Sequence, residues 1–140
     1  HYLSEEEINE LKKIHYISDY LEKISADVRR WNEENKADTS VPVNGRRLTN
    51  IGTFREYAKQ YLLNHDALRK DMTLLVRQLA PNETGLPLQI YVFTKTTVWG
   101  DYEAIQSDIF DHLLASVEYF NLKVFQNPSG NDFRSVYQKV

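Results

Sequence analysis

Apolar side chains recur every three or four positions through the first 31 residues of the chain. Ser4 and Glu7 precede this pattern with the spacing of a capping box, in which each side chain hydrogen-bonds the other residue's backbone amide. The periodic apolar positions are Ile8, Leu11, Ile14, Ile17, Leu21, Ile24, Val28 and Trp31. This spacing predicts one long amphipathic helix of about eight turns, whose apolar stripe packs against the rest of the chain or against a partner.

After a polar stretch at residues 32–40, the pattern alternates between strand-like and helical segments. β-Branched and aromatic residues favour the strands, and the segment from Pro81 to Pro87 supplies the turn of a hairpin. The predicted order is a strand in 41–49, a helix starting at Thr53, strands in 72–79 and 88–97, a helix starting at Asp101 and a strand in 122–125. This order predicts an α+β fold of the ferredoxin-like type, a β-α-β-β-α-β sandwich preceded by the long amphipathic N-terminal helix.

The same pattern divides the chain into three parts. Residues 1–38 are predicted to form a helical segment, residues 41–130 an α+β domain, and residues 131–140 a polar tail. A length of 140 residues accommodates one ordinary domain with such an appendage. Because the chain begins at His1 without a methionine, we expect it to be an excised piece of a longer protein.

Composition excludes several classes of function. The chain is 41% hydrophobic and 26% charged, with a net charge of −3, so we expect no broad cationic surface and no nucleic-acid partner. The absence of cysteine excludes disulfides, thiolate metal sites and cysteine nucleophiles. No apolar run approaches the length of about 20 residues that a membrane-spanning helix requires.

Acidic residues and a histidine on the last predicted helix are the first candidates for chemistry. Asp108 and His112 lie four positions apart and could share a divalent cation, but a third ligand is lacking, so a hydrogen-bonded surface pair is expected. The carboxylates of this helix are better explained as a solvated helix face than as the paired carboxylates of a glycosidase; they are Asp101, Glu103, Asp108 and Asp111. The sequence therefore predicts no catalytic residues, no cofactor, no metal and no enzymatic activity.

Arginines around the start of a predicted helix are the second candidate. Arg46 and Arg47 precede the segment Asn50–Thr53, and Arg55 follows it. Guanidinium groups beside a helix N-terminus with free amides can bind phosphate or another anion. The segment matches neither the P-loop nor the dinucleotide-binding fingerprint. Contacts with an anion and contacts with a neighbouring subunit or domain both remain open for these three arginines, and the interface is favoured.

Several longer runs of sequence follow one another in a distinctive order. They are Gly45–Arg55, Asp71–Leu79, Gly85–Thr94, Trp99 with Tyr102–Glu103, Ile105–Leu114, Phe125–Gln126 and Pro128–Gly130. Together these runs resemble the cytoplasmic C-terminal region of bacterial MscS-like mechanosensitive channels, in the subgroup typified by the channel YbdG. The first helix is similar to the helical insertion that this subgroup places before its Arg-Arg-Leu-Thr-Asn segment.

The resemblance implies a role within a larger assembly. In that family a membrane-spanning bundle forms the pore, and the soluble parts of the subunits assemble into a hollow heptameric cage. The channel releases solutes and ions on hypo-osmotic shock. The resemblance therefore implies a homo-oligomer on the cytoplasmic side of the bacterial inner membrane, with a parent chain that spans the membrane. In this role the present chain contributes assembly and solute filtering, whereas the pore lies elsewhere in the parent chain.

A second class of function stays open beside the channel. Ferredoxin-like domains also occur as free-standing modules that bind small molecules or anions and regulate other proteins, and a fold alone does not decide function. Thermal stabilisation of the chain by a metabolite or an anion would favour such a regulatory module.

Overall fold

The computed structural model describes residues 1–129 and contains both helices and strands. In chain order the elements are α1 (Glu5–Leu11), α2 (Ser18–Glu34), α3 (Asn50–Leu63), β1 (Leu75–Gln78), β2 (Leu88–Tyr91), α4 (Trp99–Ser116) and a 3₁₀-helix (Val117–Phe120). The predicted α+β class is therefore confirmed. The predicted tail at residues 131–140 lies outside the described residues.

The predicted long N-terminal helix is divided into α1 and α2 by a turn. The capping box is present, since the Glu7 N–H donates to Ser4 Oγ at 3.1 Å and the Ser4 N–H donates to Glu7 Oε2 at 2.8 Å. Leu11, Ile14 and Ile17 succeed one another at steps of three, and each such step falls about 60° short of a full α-helical turn. In the turn, Ile14 and Ile17 each donate their N–H to the carbonyl three residues earlier. This tighter turn reorients the chain while both helices keep their apolar residues in one core.

The sheet is smaller than the predicted one. Strands β1 and β2 form an antiparallel hairpin in which Leu75 lies opposite Tyr91 and Gln78 lies opposite Leu88. The hairpin is thus confirmed. The segments 41–49 and 122–125, which were predicted as strands, belong to no sheet within the described part of the chain. The four-stranded ferredoxin-like arrangement is therefore not confirmed.

The peptide groups of the segment 41–49 find other partners. The Asn32 side chain on α2 hydrogen-bonds the backbone of Arg46, and Thr49 forms an isolated bridge with Tyr2. These partners satisfy backbone groups that would otherwise need a neighbouring strand. The segment is consequently held against α2 as an irregular connection.

Two helices begin earlier than the sequence pattern predicted. Helix α3 starts at Asn50 because Thr49 acts as its N-cap, accepting a hydrogen bond from the Gly52 N–H at 3.1 Å. The hydroxyl of Thr53, the predicted cap, instead donates to the Thr49 carbonyl at 2.9 Å. Helix α4 starts at Trp99, two residues before the predicted cap.

One hydrophobic core joins α1, α2, α3, the inner face of α4 and the 3₁₀-helix. Its buried members are Leu3, Ile8, Leu11, Ile17, Leu21, Phe54, Tyr57, Ala58, Leu62, Leu68, Ile109, Leu113 and Phe120. Helix α3 is central to this core, with α2 on one flank and α4 on another. None of the helices in residues 1–129 combines the length and the apolar character needed to cross a membrane.

Candidate functional site

The structure brings the three sequence-predicted arginines to one groove. Arg46, Arg47 and Arg55 line a depression of about 200 Å³ between α2 and the start of α3. We call this depression the arginine groove. The rest of its lining consists of Tyr20, Ile24, Val28, Leu48, Thr49, Gly52 and Thr53. Within the described part of the chain the lining therefore combines three guanidinium groups with apolar side chains and lacks a carboxylate.

A clamp between α2 and the chain preceding α3 fixes the position of Arg46. The Arg46 N–H donates to Asn32 Oδ1 at 2.7 Å, and Asn32 Nδ2 donates to the Arg46 carbonyl at 3.0 Å. Gly45 has φ +69° and passes so close that a Cβ atom there would lie 2.4 Å from Asn32 Oδ1. Glycine is required here both by the backbone conformation and by the close approach.

The three arginines differ in how far the protein itself engages them. The Arg47 guanidinium donates through Nη2 to the Thr39 carbonyl and thereby holds the preceding loop. Its Nε is buried and has no hydrogen-bond partner among the described residues. Arg46 and Arg55 are exposed. The guanidinium groups of Arg46 and Arg55 are therefore accessible in the groove, whereas that of Arg47 is engaged with the protein's own backbone.

The amides at the start of α3 are already hydrogen-bonded. Asn50 N–H donates to the His1 carbonyl at 3.1 Å, and Ile51 N–H donates to Asn50 Oδ1 at 2.9 Å. Gly52 N–H is taken by the Thr49 hydroxyl and Thr53 N–H by the Thr49 carbonyl. These amides are therefore not free to bind an anion, which would have to be held by side chains of the groove.

Asn50 is a structural residue that the sequence pattern did not reveal. It is 3% exposed, and its Nδ2 donates to the Phe120 carbonyl at 3.0 Å. Its Oδ1 accepts from the amino group of His1 at 2.9 Å. The side chain thus ties the start of α3 to both ends of the core. Only its place in the run Gly45–Arg55 singled it out beforehand.

His112 is part of an aromatic contact between α3 and α4. Its Nε2 lies 2.6 Å from the Tyr57 hydroxyl, and its ring stacks on Tyr61 with centroids 4.0 Å apart. Burial is the main cause that raises the pKa of the Tyr61 hydroxyl, and nearby Tyr57 and Asp108 raise it further. Among residues 1–129, no three histidine or acidic side chains converge to hold a metal ion. Within residues 1–129 no hydrogen bond joins Asp108 to His112, so the expected surface pair is not formed, and His112 packs on Tyr57 and Tyr61 instead.

The outward face of α4 is apolar and acidic. We call it the α4 outer stripe, and its members are Trp99, Glu103, Phe110 and Leu114. Trp99 is 76% exposed, and Asp111 borders the stripe. The apolar periodicity of this helix predicts one core-facing stripe made of Ile105, Ile109, Phe110, Leu113, Leu114 and Val117. The structure buries Ile109 and Leu113 but leaves Phe110 and Leu114 exposed. The apolar arc of α4 is wider than one helix-packing contact can cover.

Comparison with known proteins identifies the family of this chain, and the curated proteins that it resembles include a mechanosensitive channel. The family model described as "Mechanosensitive ion channel MscS, C-terminal" matches residues 4–124. Among curated proteins, the low conductance mechanosensitive channel YnaI of Escherichia coli (strain K12) is 34% identical over 68 residues. That alignment covers 49% of this chain and 20% of YnaI, so the chain corresponds to a small part of this relative's length.

Proposed function

The chain belongs to the family of MscS mechanosensitive ion channel C-terminal domains, and from this premise we propose that it forms part of a cytoplasmic cage. In this proposal the parent channel is of the YbdG type and lies in the bacterial inner membrane. It releases solutes and ions on hypo-osmotic shock. The present chain holds subunits in register and filters solutes, while the pore lies elsewhere in the parent.

The observation that carries the proposal is the exposed apolar surface of α4. Trp99, Phe110 and Leu114 are 76%, 46% and 49% exposed, and they share one face of a single helix. Large apolar side chains exposed on one face of a folded domain indicate a surface that another molecule covers. A cage wall made of copies of one chain supplies such a partner, which makes the chain a homo-oligomer, as a heptameric cage requires.

The arginine groove is proposed as a second contact surface. Arg46 and Arg55 are exposed there, and Arg47 is anchored to the loop that precedes α3. Because the α3 amides are already occupied, these guanidinium groups are better suited to carboxylates of a neighbouring subunit than to a small anion.

Solute filtering is proposed to depend on the charge of α4. The helix carries Asp101, Glu103, Asp108 and Asp111 and contains no lysine or arginine. Where such a helix lines an opening in a cage wall, it attracts cations and repels anions. Replacing Glu103 and Asp111 by glutamine is expected to raise the relative anion permeability of the channel. Unchanged selectivity in that variant would contradict the filtering role.

The division of the chain is proposed to follow the sequence pattern. Residues 1–38 form a helical segment docked on an α+β domain at 41–130, and residues 131–140 form a tail. In the assembled channel we propose that the segments 41–49 and 122–125 find neighbouring strands and complete a ferredoxin-like sheet. Slower amide hydrogen exchange in both segments in the full channel than in the isolated chain would support this completion, and equal exchange would contradict it.

Deletion of residues 1–140 from the parent channel tests the proposed function. The expected result is loss of stable oligomers on native gels, or oligomers with an altered tension threshold and altered solute selectivity in patch-clamp recordings. The Glu83→Ala substitution in the exposed hairpin turn serves as the control and should change none of these. Unchanged assembly, threshold and selectivity after the deletion would overturn the proposal. Marked thermal stabilisation of the isolated chain by inorganic phosphate would favour the regulatory module instead.

A further inference from the structure

The α4 outer stripe has the chemistry of a surface that inserts into a basic apolar groove. Trp99, Glu103, Phe110 and Leu114 are spaced so that they share one helix face. The stripe therefore alternates large apolar side chains with a carboxylate, and Asp111 adds a second carboxylate at its border. A partner surface must offer apolar contact and positive charge together.

The arginine groove offers this combination on the same chain. Ile24 and Val28 contribute apolar side chains to its lining, and Arg46 and Arg55 contribute exposed positive charge. The depression has a volume of about 200 Å³ and is open to solvent, so a large side chain of another molecule can enter it. Stripe and groove are thus complementary in charge, and Ile24 and Val28 give the mainly polar groove a smaller apolar part.

The two surfaces lie on opposite flanks of the subunit. Tyr57 on α3 faces α4, because its hydroxyl hydrogen-bonds His112. Arg55 precedes Tyr57 by two residues, which places it about 200° around the helix axis, on the flank that faces the groove. One copy can therefore receive a stripe on one side while it presents its own stripe on the other. Such head-to-tail contacts can close into rings.

We propose that the α4 outer stripe of one subunit docks into the arginine groove of a second copy of the same chain. Trp99 occupies the groove, and Glu103 and Asp111 pair with Arg46 and Arg55 of that copy. The pairing rests on the proposed function, because it assigns the contact between subunits of the assembled channel. It makes every subunit contact heterologous, with one acidic side and one basic side.

Disulfide cross-linking in the full channel tests this pairing. These 140 residues contain no cysteine, so Glu103→Cys and Arg55→Cys are introduced into a parent polypeptide from which any cysteine elsewhere has been removed. The double variant should give a ladder of covalent oligomers on oxidation. Each single variant should give no covalent oligomer on a denaturing gel, whereas co-expression of the two variants should give covalent dimers. The matched control replaces Glu103→Cys by Glu83→Cys on the hairpin turn and should give no ladder.

Charge reversal provides an independent measurement on the same surfaces. Reversing both acids with Glu103→Arg and Asp111→Arg should weaken subunit association by about tenfold, and so should Arg46→Glu with Arg55→Glu. Combining all four changes should restore most of the association. Failure of the combined variant to recover any association, while each pair alone weakens it, would overturn the direct pairing of these charges.

The outcomes separate this pairing from the proposed function. Cross-linking in either single variant would indicate a symmetric contact and overturn the pairing, as would adducts with a different protein in place of the ladder. A channel that loses assembly when residues 1–140 are deleted but gives no ladder would keep the proposed function and overturn the pairing. The full-length cysteine variant could also give the ladder while deletion of residues 1–140 leaves assembly, threshold and selectivity unchanged. That combination would support the pairing and overturn the proposed function.

Discussion

The two halves of the chain treat their apolar side chains differently. In the amino-terminal region, residues 1–68, large apolar residues are mostly inside the core, and the fully buried ones are Ile17, Leu21, Leu62 and Leu68. In the carboxy-terminal region, residues 72–125, most of them are exposed. The exposed set is Met72, Leu75, Leu79, Leu86, Tyr91, Val98, Trp99, Tyr102, Phe110, Leu114, Tyr119, Val124 and Phe125.

This difference separates the part of the chain that encloses its own core from the part whose apolar surface is available to other molecules. The amino-terminal region encloses its apolar residues between α1, α2 and α3. The carboxy-terminal region consists of a two-stranded hairpin, α4 and the 3₁₀-helix, and a hairpin of two strands needs packing against other elements to be stable in water. Ile109, Leu113 and Phe120 of this region are part of the buried core, and Leu74, Val76, Leu88, Ile90 and Val92 in and around the hairpin are partly buried against it. The first region therefore supplies most of the buried core, while the second packs part of its apolar residues on that core and presents the rest as surface.

Matched leucine substitutions in the two regions should give the largest contrast. Leu21 is 0% exposed, so Leu21→Ala should lower the free energy of unfolding by about 2–5 kcal/mol through lost burial and the cavity it leaves. Leu114 is 49% exposed, so Leu114→Ala should cost less than about 1 kcal/mol in the isolated chain. Urea unfolding followed by circular dichroism measures both. Similar losses in the two variants would contradict the regional division.

The second prediction concerns the buried amide that joins both ends of the core. Asn50→Ala removes hydrogen bonds to the Phe120 carbonyl and to the His1 amino group. Because it leaves buried partners unsatisfied, it should lower the free energy of unfolding by about 2–3 kcal/mol. Asn127→Ala, at an exposed position, is the matched control and should have little effect in the same urea experiment. Equal stability of the two variants would show that Asn50 does not tie the core together.

Paired glycine substitutions sharpen the comparison at the level of the backbone. Gly45→Ala places a Cβ against Asn32 at a residue with φ +69°, so it should lower the free energy of unfolding by about 2 kcal/mol. Gly85→Ala in the hairpin turn also sits at a positive φ, of +111°, but nothing lies within 4 Å of its Cβ. It should therefore cost less than Gly45→Ala. A larger loss of unfolding free energy for Gly85→Ala than for Gly45→Ala would mean that Asn32 moves aside at little energetic cost.

Local signals in the sequence were sufficient for part of this architecture. The capping box at Ser4 and Glu7 depends on residues three positions apart, and the hairpin depends on the turn residues between Pro81 and Pro87. Both were predicted because their physical causes lie within a few residues of chain. The three arginines were likewise predicted to lie near the start of α3, because they are close to it in the sequence.

Features that depend on distant partners were not predictable in the same way. The turn between Leu11 and Ile17 preserves the apolar periodicity, so the pattern alone could not reveal that the helix is divided. Strand propensity at 41–49 did not produce a strand, because Asn32 occupies the backbone of Arg46. The exposure of Phe110 depends on how α4 packs, and periodicity does not determine which part of a wide apolar arc is covered.

The smallest predicted effect concerns Tyr61, which lies on α3 and stacks on His112 of α4, at the boundary between the two regions. Burial raises the pKa of its hydroxyl above the ordinary value of 10.0, so the unfolded chain loses this proton at lower pH than the folded chain. The resulting stabilisation is fully present below about pH 10 and is lost as the pH rises through the folded pKa. Tyr61→Phe should therefore make the free energy of unfolding decline less steeply above that pH.

Urea unfolding at a series of alkaline pH values measures this slope, and tyrosinate absorbance of the folded chain reports the titration directly. The wild-type chain should show two late-titrating tyrosines, Tyr20 and Tyr61, and Tyr61→Phe should lack one of the two. In concentrated urea these late steps should disappear from the wild-type titration, because the burial that causes them is lost. Equal pH slopes for the two folded proteins would indicate that the Tyr61 hydroxyl is solvated and that α3 and α4 are loosely joined. The boundary between the regions would then lie at α3, and α4 would belong entirely to the surface that the chain offers for assembly.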